Sequence, residues 1–168
     1  MKAEGIALGL DPGLATTGYG IVRVARDGWE AVCGGVIETE KRESRAHRLS
    51  VIHDEACELI SMYRPSGVGI EEVFLARNAR TAMLTAETRG VLLLAAKELP
   101  VRGYTPLQVK KLITGYGKAG KLQVQLTVKQ LLNLGEIPRP DDVADALAIA
   151  LCFLLDSQGV NAHDSRST

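Results

Sequence analysis

The chain has 168 residues and no net charge, with 20 Lys and Arg against 20 Asp and Glu. At 46% hydrophobic and 24% charged residues it has ordinary globular composition and the length to bury a core, which excludes a disordered, collagenous or low-complexity chain. No apolar run reaches the roughly 18 residues that span a membrane, and Met1 to Leu10 lacks the basic and long apolar regions of a signal peptide. Three scattered cysteines, Cys33, Cys57 and Cys152, suit a reducing cytoplasm better than a disulfide framework.

Ile6 to Asp11 reads as a strand. Tyr19 to Ala25 and Trp29 to Ile37 follow as two more, with Asp27-Gly28 as the hairpin turn. Leu49, Ile52, Ala56, Leu59, Ile60 and Tyr63 recur at helical spacing, which predicts an amphipathic helix over Ser44 to Tyr63, ended by Pro65 and Gly67. A fourth strand is expected over Val68 to Phe74, a long helix over Asn78 to Leu99 and a short fifth strand over Pro100 to Tyr104. Thr105-Pro106 is an N-cap with Pro at the first helical position, opening a helix to about Ile113. After a Gly/Lys loop come helices over Lys121 to Leu134 and Asp141 to Leu155, joined by the stiff Ile137-Pro-Arg-Pro connector. The polar tail from Ser157 to Thr168 is expected to be disordered. An antiparallel β-meander followed by strand–helix alternation predicts an α/β fold, a mixed sheet flanked by helices, in one domain over residues 1–156.

The neutral sum conceals a segregation. Residues 1–75 carry 8 basic and 12 acidic side chains, residues 76–140 carry 11 and 3, and residues 141–168 carry 1 and 5. Between Leu99 and Gly135 there is no acid, but there are six bases: Arg102, Lys110, Lys111, Lys118, Lys121 and Lys129. Such a block creates a local positive field, or else is simply a solvated helical face.

Four positions carry possible chemistry. Asp11 ends a buried strand at a Pro-Gly turn; turn formation alone would also explain it. Glu71 and Glu72 interrupt the fourth strand and must point to opposite faces, although alternation does not say which one meets the helix-covered face. Asp142 and Asp145 lie about 60° apart on the first turn of the last helix. Asp141, following Pro140, is expected to be the N-cap, turned back to the free N–H groups. Carboxylates on two strand ends and one helix start form the hard-oxygen donor set of Mg²⁺ or Mn²⁺, and a pair of such ions suits attack of water on a phosphodiester. The basic segment would then attract the phosphate backbone. Phe74 would stack on a base at the mouth of the site or serve as an ordinary core residue.

Two other motifs carry less. Gly115 to Lys121 fits G-x-G-x-x-G and most of a Walker A loop, but it follows a predicted helix rather than a strand, and Leu122 stands where a metal-binding Ser or Thr is required. The histidines His47, His53 and His163 show no zinc spacing with the cysteines.

Six segments in register resemble the RuvC-type Holliday junction resolvases of bacteria. They are Leu8-Gly-Leu-Asp-Pro-Gly13 with Thr17-Gly-Tyr-Gly20, Ile70-Glu-Glu-Val-Phe74 with Asn78, Gln108-Val-Lys110, Lys121-Leu-Gln-Val-Gln125 and Asp142-Val-Ala-Asp-Ala-Leu-Ala148. The resemblance implies a ribonuclease-H-like fold with a five-stranded mixed sheet. It implies a homodimeric endonuclease that nicks a four-way DNA junction symmetrically in recombination and repair, leaving 5′-phosphate ends. Asp11, Glu71, Asp142 and Asp145 would be the catalytic ligands of two Mg²⁺ or Mn²⁺ ions, with Lys121 beside the scissile phosphate. Phe74, Lys110 and Lys121 would contact DNA, joined by the neighbouring bases Lys111, Lys118, Arg77 and Arg80. The RuvA–RuvB branch-migration complex would be the partner, and the cytoplasm the location. Actin-like ATPases share the fold and an Asp-x-Gly first loop, but they need two such domains for their nucleotide cleft.

Overall fold

A computed structural model describes residues 5–73 and 78–159. Three antiparallel strands open the fold: β1 (Ile6–Asp11), β2 (Thr16–Ala25) and β3 (Gly28–Glu38). The hairpin loop is Arg26-Asp27, one residue earlier than expected, because Ala25 pairs with Gly28 and Gly28 absorbs the turn at φ +146°. Helix α1 (Arg45–Tyr63) begins at the Ser44 cap, whose hydroxyl accepts from the His47 N–H. Strand β4 (Gly67–Glu71) then lies parallel to β1, and β5 (Val101–Tyr104) lies parallel to β4, giving the order β3-β2-β1-β4-β5. The five-stranded mixed sheet expected from the sequence is therefore present, with the meander first and the parallel strands after it.

Strand β4 stops at Glu71, shorter than expected, because its ladder partner β5 ends there: Glu71 pairs with Tyr104, and the Glu72 N–H donates to the Tyr104 carbonyl at 2.9 Å. Helix α2 (Ala79–Ala95) starts at Asn78, whose side chain accepts from the N–H groups of Arg80 and Thr81, and it ends before Leu99. Helix α3 (Pro106–Thr114) opens at Thr105 as expected, and Gln108 completes a reciprocal capping box. Helix α4 (Lys121–Leu131) is one turn shorter than expected. Helix α5 (Asp141–Gln158) is longer, so Ser157 and Gln158 are helical rather than part of a disordered tail; the rest of that tail, residues 160–168, lies outside the described residues.

The sheet separates two cores. Leu8, Leu10, Ile21, Val68 and Ile70 face Ile52 and Ala56 of α1, Leu92 of α2 and Ala96 at the end of α2. On the other face α5 lies against β1, β2 and β4, sandwiched under α3 and α4 and buried from Ala146 to Leu155. At Gly9 and Gly18 helix and sheet meet backbone to backbone. A Cβ on Gly9 would collide with the Ala146 carbonyl, and one on Gly18 would sit 2.7 Å from the Asp142 carbonyl carbon. Only glycine permits this approach, and it brings the first turn of α5 to the open end of β1.

Candidate metal and nucleic-acid site

Strand parity builds the site. In β1 the even residues Leu8 and Leu10 face α1, so Asp11 faces α5 with Gly9. In β4, Gly67 and Gly69 lie under Phe153 and Ile149 of α5, so Glu71 faces the same side and Glu72 the other. Leu10 pairs with Ile70, which places Asp11 and Glu71 side by side at the ends of adjacent parallel strands. Asp11 also pairs with Gly18, the residue beneath the Asp142 backbone. The four expected acids therefore converge: Asp11, Glu71, Asp142 and Asp145.

Their electrostatics record the crowding. Burial pushes the Asp11 carboxyl up to about 9, reinforced by its hydrogen bond with Glu71 and by the charges of Glu71, Asp145 and Asp142. Burial raises Asp145 to about 6; Lys121 opposes that shift, while Glu71, Asp141 and Asp142 add to it. Without a counter-charge the group holds a proton; a divalent cation would neutralise it instead. The donor set is all carboxylate oxygen, which fits a hard cation such as Mg²⁺ or Mn²⁺. Among the described residues no three His, Cys, Asp or Glu side chains are already gathered closely enough to hold one ion, so a cation would have to draw the carboxylates together.

A cleft of about 260 Å³ adjoins the acids. Glu71, Asp145, Lys110 and Lys121 supply its charged walls, and Val109, Val124 and Ala148 its apolar floor. Of the remaining expected DNA contacts, Lys111, Lys118 and Arg80 are exposed and stand outside the cleft lining, while Phe74 and Arg77 fall outside the described residues. The glycine-rich segment from Gly115 to Gly120 joins α3 to α4, with Gly115 in the left-handed region at φ +77°; it follows a helix, as neither nucleotide-binding motif does.

One expectation fails. Asp141 is not the N-cap of α5: Pro140 holds that position and no side chain caps the helix. The Asp141 carboxylate turns to two partners on α4 and one beside it in sequence, lying 2.9 Å from Lys121 Nζ and accepting from Gln125 Nε2 and from Arg139 Nη1. These contacts hold it below the usual carboxylate range, with Lys121 the main cause. Lys121 Nζ also lies 4.0 Å from Asp145 Oδ2.

A second support was not foreseen. Arg89 of α2 donates from Nε to the Glu71 carbonyl at 3.1 Å and from Nη2 to Glu72 Oε1 at 2.9 Å. One guanidinium thus grips two successive residues at the end of β4. Nothing in the adjacent sequence marks Arg89 for this role, since α2 also carries Arg80 and Glu87.

Comparison with known proteins places the whole chain in one family. The family model for "Crossover junction endodeoxyribonuclease RuvC" matches residues 7–153. A crossover junction endodeoxyribonuclease RuvC from Caldicellulosiruptor saccharolyticus is 49% identical over 157 residues, covering 91% of this chain and 94% of its own. The Thermus thermophilus RuvC structure superposes with a TM-score of 0.85 at 37% identity, over 92% of this chain and 97% of that one. T. thermophilus RuvC in complex with Holliday junction substrate gives a TM-score of 0.87 at 36% identity, over 92% and 96%. The chain belongs to the RuvC family, the crossover junction endodeoxyribonucleases that resolve Holliday junctions.

Proposed function

We propose that Asp11, Glu71, Asp142 and Asp145 hold two divalent cations, Mg²⁺ or Mn²⁺, and hydrolyse one phosphodiester in each of two symmetric strands of a four-way junction. The observation that carries this reading is the convergence of four acids from β1, β4 and α5, two of them proton-binding well above the usual carboxylate range. Bound there, the cations would supply Lewis acidity to the scissile phosphate and favour attack by water, with a 5′-phosphate product. The protein's own part is positional. The sheet ends fix Asp11 and Glu71, the first turn of α5 fixes the other two, and Lys121 and Lys110 place positive charge on the substrate side of the cleft. Lys111, Lys118 and Arg80, exposed outside the cleft, would contact the DNA backbone together with Arg77, and Phe74 would stack on a base at the branch point.

The nuclease domain would take in the residues 1–156 expected from the sequence and the last turn of α5 to Gln158. The protein acts as a homodimer, because two symmetric nicks need two sites; Met83 and Leu94 of α2 remain 64% and 59% exposed for such a contact. Its location is cytoplasmic, where it would meet the RuvA–RuvB branch-migration complex. No helix among the described residues is long and apolar enough to cross a membrane.

Cleavage of a synthetic mobile four-way junction tests the reading. Paired nicks are expected with Mg²⁺ or Mn²⁺, and none with chelator. Equal cleavage of linear duplex, or cleavage that survives chelation, would overturn it. Junction binding should weaken steeply with salt despite the neutral net charge, and a flat response would remove the basic segment from the interface.

A further inference from the structure

We propose that Asp141 is a positioning residue of the nuclease reaction, which anchors the Lys121 ammonium at the rim of the carboxylate site and withholds it from the DNA backbone elsewhere. The inference rests on the reading of Lys121 as a group that acts on the scissile phosphate.

Asp141 adjoins the carboxylate group, and its charge reaches Asp145, but its side-chain contacts run to Lys121 and Gln125 of α4 and to Arg139. Its Oδ2 lies 2.9 Å from Lys121 Nζ, while its Oδ1 accepts from Gln125 Nε2 at 3.2 Å and from Arg139 Nη1. Lys121 and Gln125 stand four residues apart on one face of α4. That face therefore presents a lysine and an amide together, and one carboxylate receives both.

Gln125 makes the anchor rigid. It is only 4% exposed, one of the few buried polar side chains among the described residues, and its amide finds its acceptor in Asp141. A buried amide without a partner is costly, so the pair fixes the Asp141 carboxylate independently of Lys121. Lys121 itself is 59% exposed, a long flexible side chain carrying a point charge. Its other acidic neighbour, Asp145 at 4.0 Å, faces the cation site. Once Asp145 is committed there, Asp141 is the remaining counter-charge that keeps the ammonium in place.

Two effects of opposite sign follow. An anchored ammonium is ordered before substrate arrives, which lowers the cost of using it in the transition state. The same anchor places a negative charge on a DNA-facing surface, which weakens binding. Asp141→Asn should therefore lower kcat by about tenfold. In chelator, where no cleavage occurs, it should tighten junction binding roughly two- to five-fold, the size of one exposed charge interaction. A local loss of structure would instead weaken both.

The experiment measures single-turnover kcat with saturating Mg²⁺, junction Kd in chelator and Tm for Asp141→Asn, Asp141→Glu, Lys121→Ala and the double variant Asp141→Asn/Lys121→Ala. The expected result is lower kcat with tighter Kd for Asp141→Asn, partial recovery of kcat in Asp141→Glu, and no further loss of kcat when Asp141→Asn is added to Lys121→Ala. If Lys121→Ala is impaired but Asp141→Asn keeps full kcat, the inference fails and the role of Lys121 stands. If Lys121→Ala keeps full kcat, the reading beneath it fails. If Asp141→Asn lowers kcat, affinity and Tm together, Asp141 is structural only and the inference is overturned.

Discussion

Replacing Asp11 with Asn should abolish cleavage and yet make the metal-free protein more stable. The unfolded chain carries Asp11 near its ordinary value of 3.8, whereas burial and the neighbouring acids lift it to about 9 in the fold. At pH 7 folding must therefore load a proton about three pH units against its ordinary tendency, which caps the cost at about 4 kcal/mol. Relaxation of the site and entry of water reduce this, so a recovery of about 1–3 kcal/mol is expected. Asn needs no proton, and its amide can donate to Glu71 where the shared proton stood. For a chain of this size about 1–3 kcal/mol corresponds to a rise of roughly 3–10 °C in Tm. The assay is thermal unfolding in chelator at pH 7, run beside cleavage of a four-way junction with Mg²⁺. Mg²⁺ should raise the Tm of the unaltered protein and do so much less for Asp11→Asn. An unchanged or lower Tm in chelator would refute the electrostatic account of the site, and retained cleavage would refute its catalytic assignment.

The pH dependence carries the same sign. Asp11 and Asp145 both bind protons more tightly folded than unfolded, so the stability they contribute is fully present below about pH 4 and is lost as pH rises, to about 6 for Asp145 and about 9 for Asp11. Metal-free Tm should therefore decline between pH 5 and pH 9, and saturating Mg²⁺ should flatten the decline; a metal-free Tm that climbs through this window would contradict the shifts. Arg89→Ala should raise the Mg²⁺ concentration needed for half-maximal cleavage and cost about 1 kcal/mol of stability, since the Glu72 carboxylate it pairs with is 41% exposed and water can replace the lost partner. Magnesium titration of cleavage and urea unfolding check both effects. Gly9→Ala should destabilise by about 1–3 kcal/mol or more, because the new methyl meets the backbone of α5 rather than a movable side chain; a ΔΔG near zero in urea unfolding would mean that α5 can lift at little cost.

Local rules in the sequence predicted most of what local physics decides. The Thr105-Pro106 start and the Ser44 helix start were legible because caps are satisfied within one turn. Asp141 was misread by the same rule. Its preference for a cap was outcompeted by Lys121 and Gln125, which arrive from another helix and leave no mark in the adjacent sequence. Strand parity left Glu71 and Glu72 equivalent until the glycines were considered: Gly67 and Gly69 alternate with Glu71, and a face made of glycine is the face a helix approaches closely. The Arg89 clamp was not legible, because a single Arg in a helix resembles a solvated one until its partner strand is placed beneath it. The charge segregation was legible as a pattern, and the structure narrows it: Lys110 and Lys121 line the cleft, and the other described candidates do not.

The bare contact between α5 and the sheet has a consequence for tolerance. Where a helix rests on side chains, exchanging one apolar residue for another resets the spacing between the two elements by a fraction of an ångström. Here backbone rests on backbone at Gly9 and Gly18, so the gap between the strand that bears Asp11 and the helix that bears Asp142 and Asp145 is set by peptide atoms alone. Leu151, Leu154 and Leu155, further along α5, can be exchanged for other apolar residues without changing the distance across which a cation must be shared. The separation of the carboxylates is thereby insulated from drift in the hydrophobic core, and its vulnerability is confined to the few positions where a methyl group would act as a wedge.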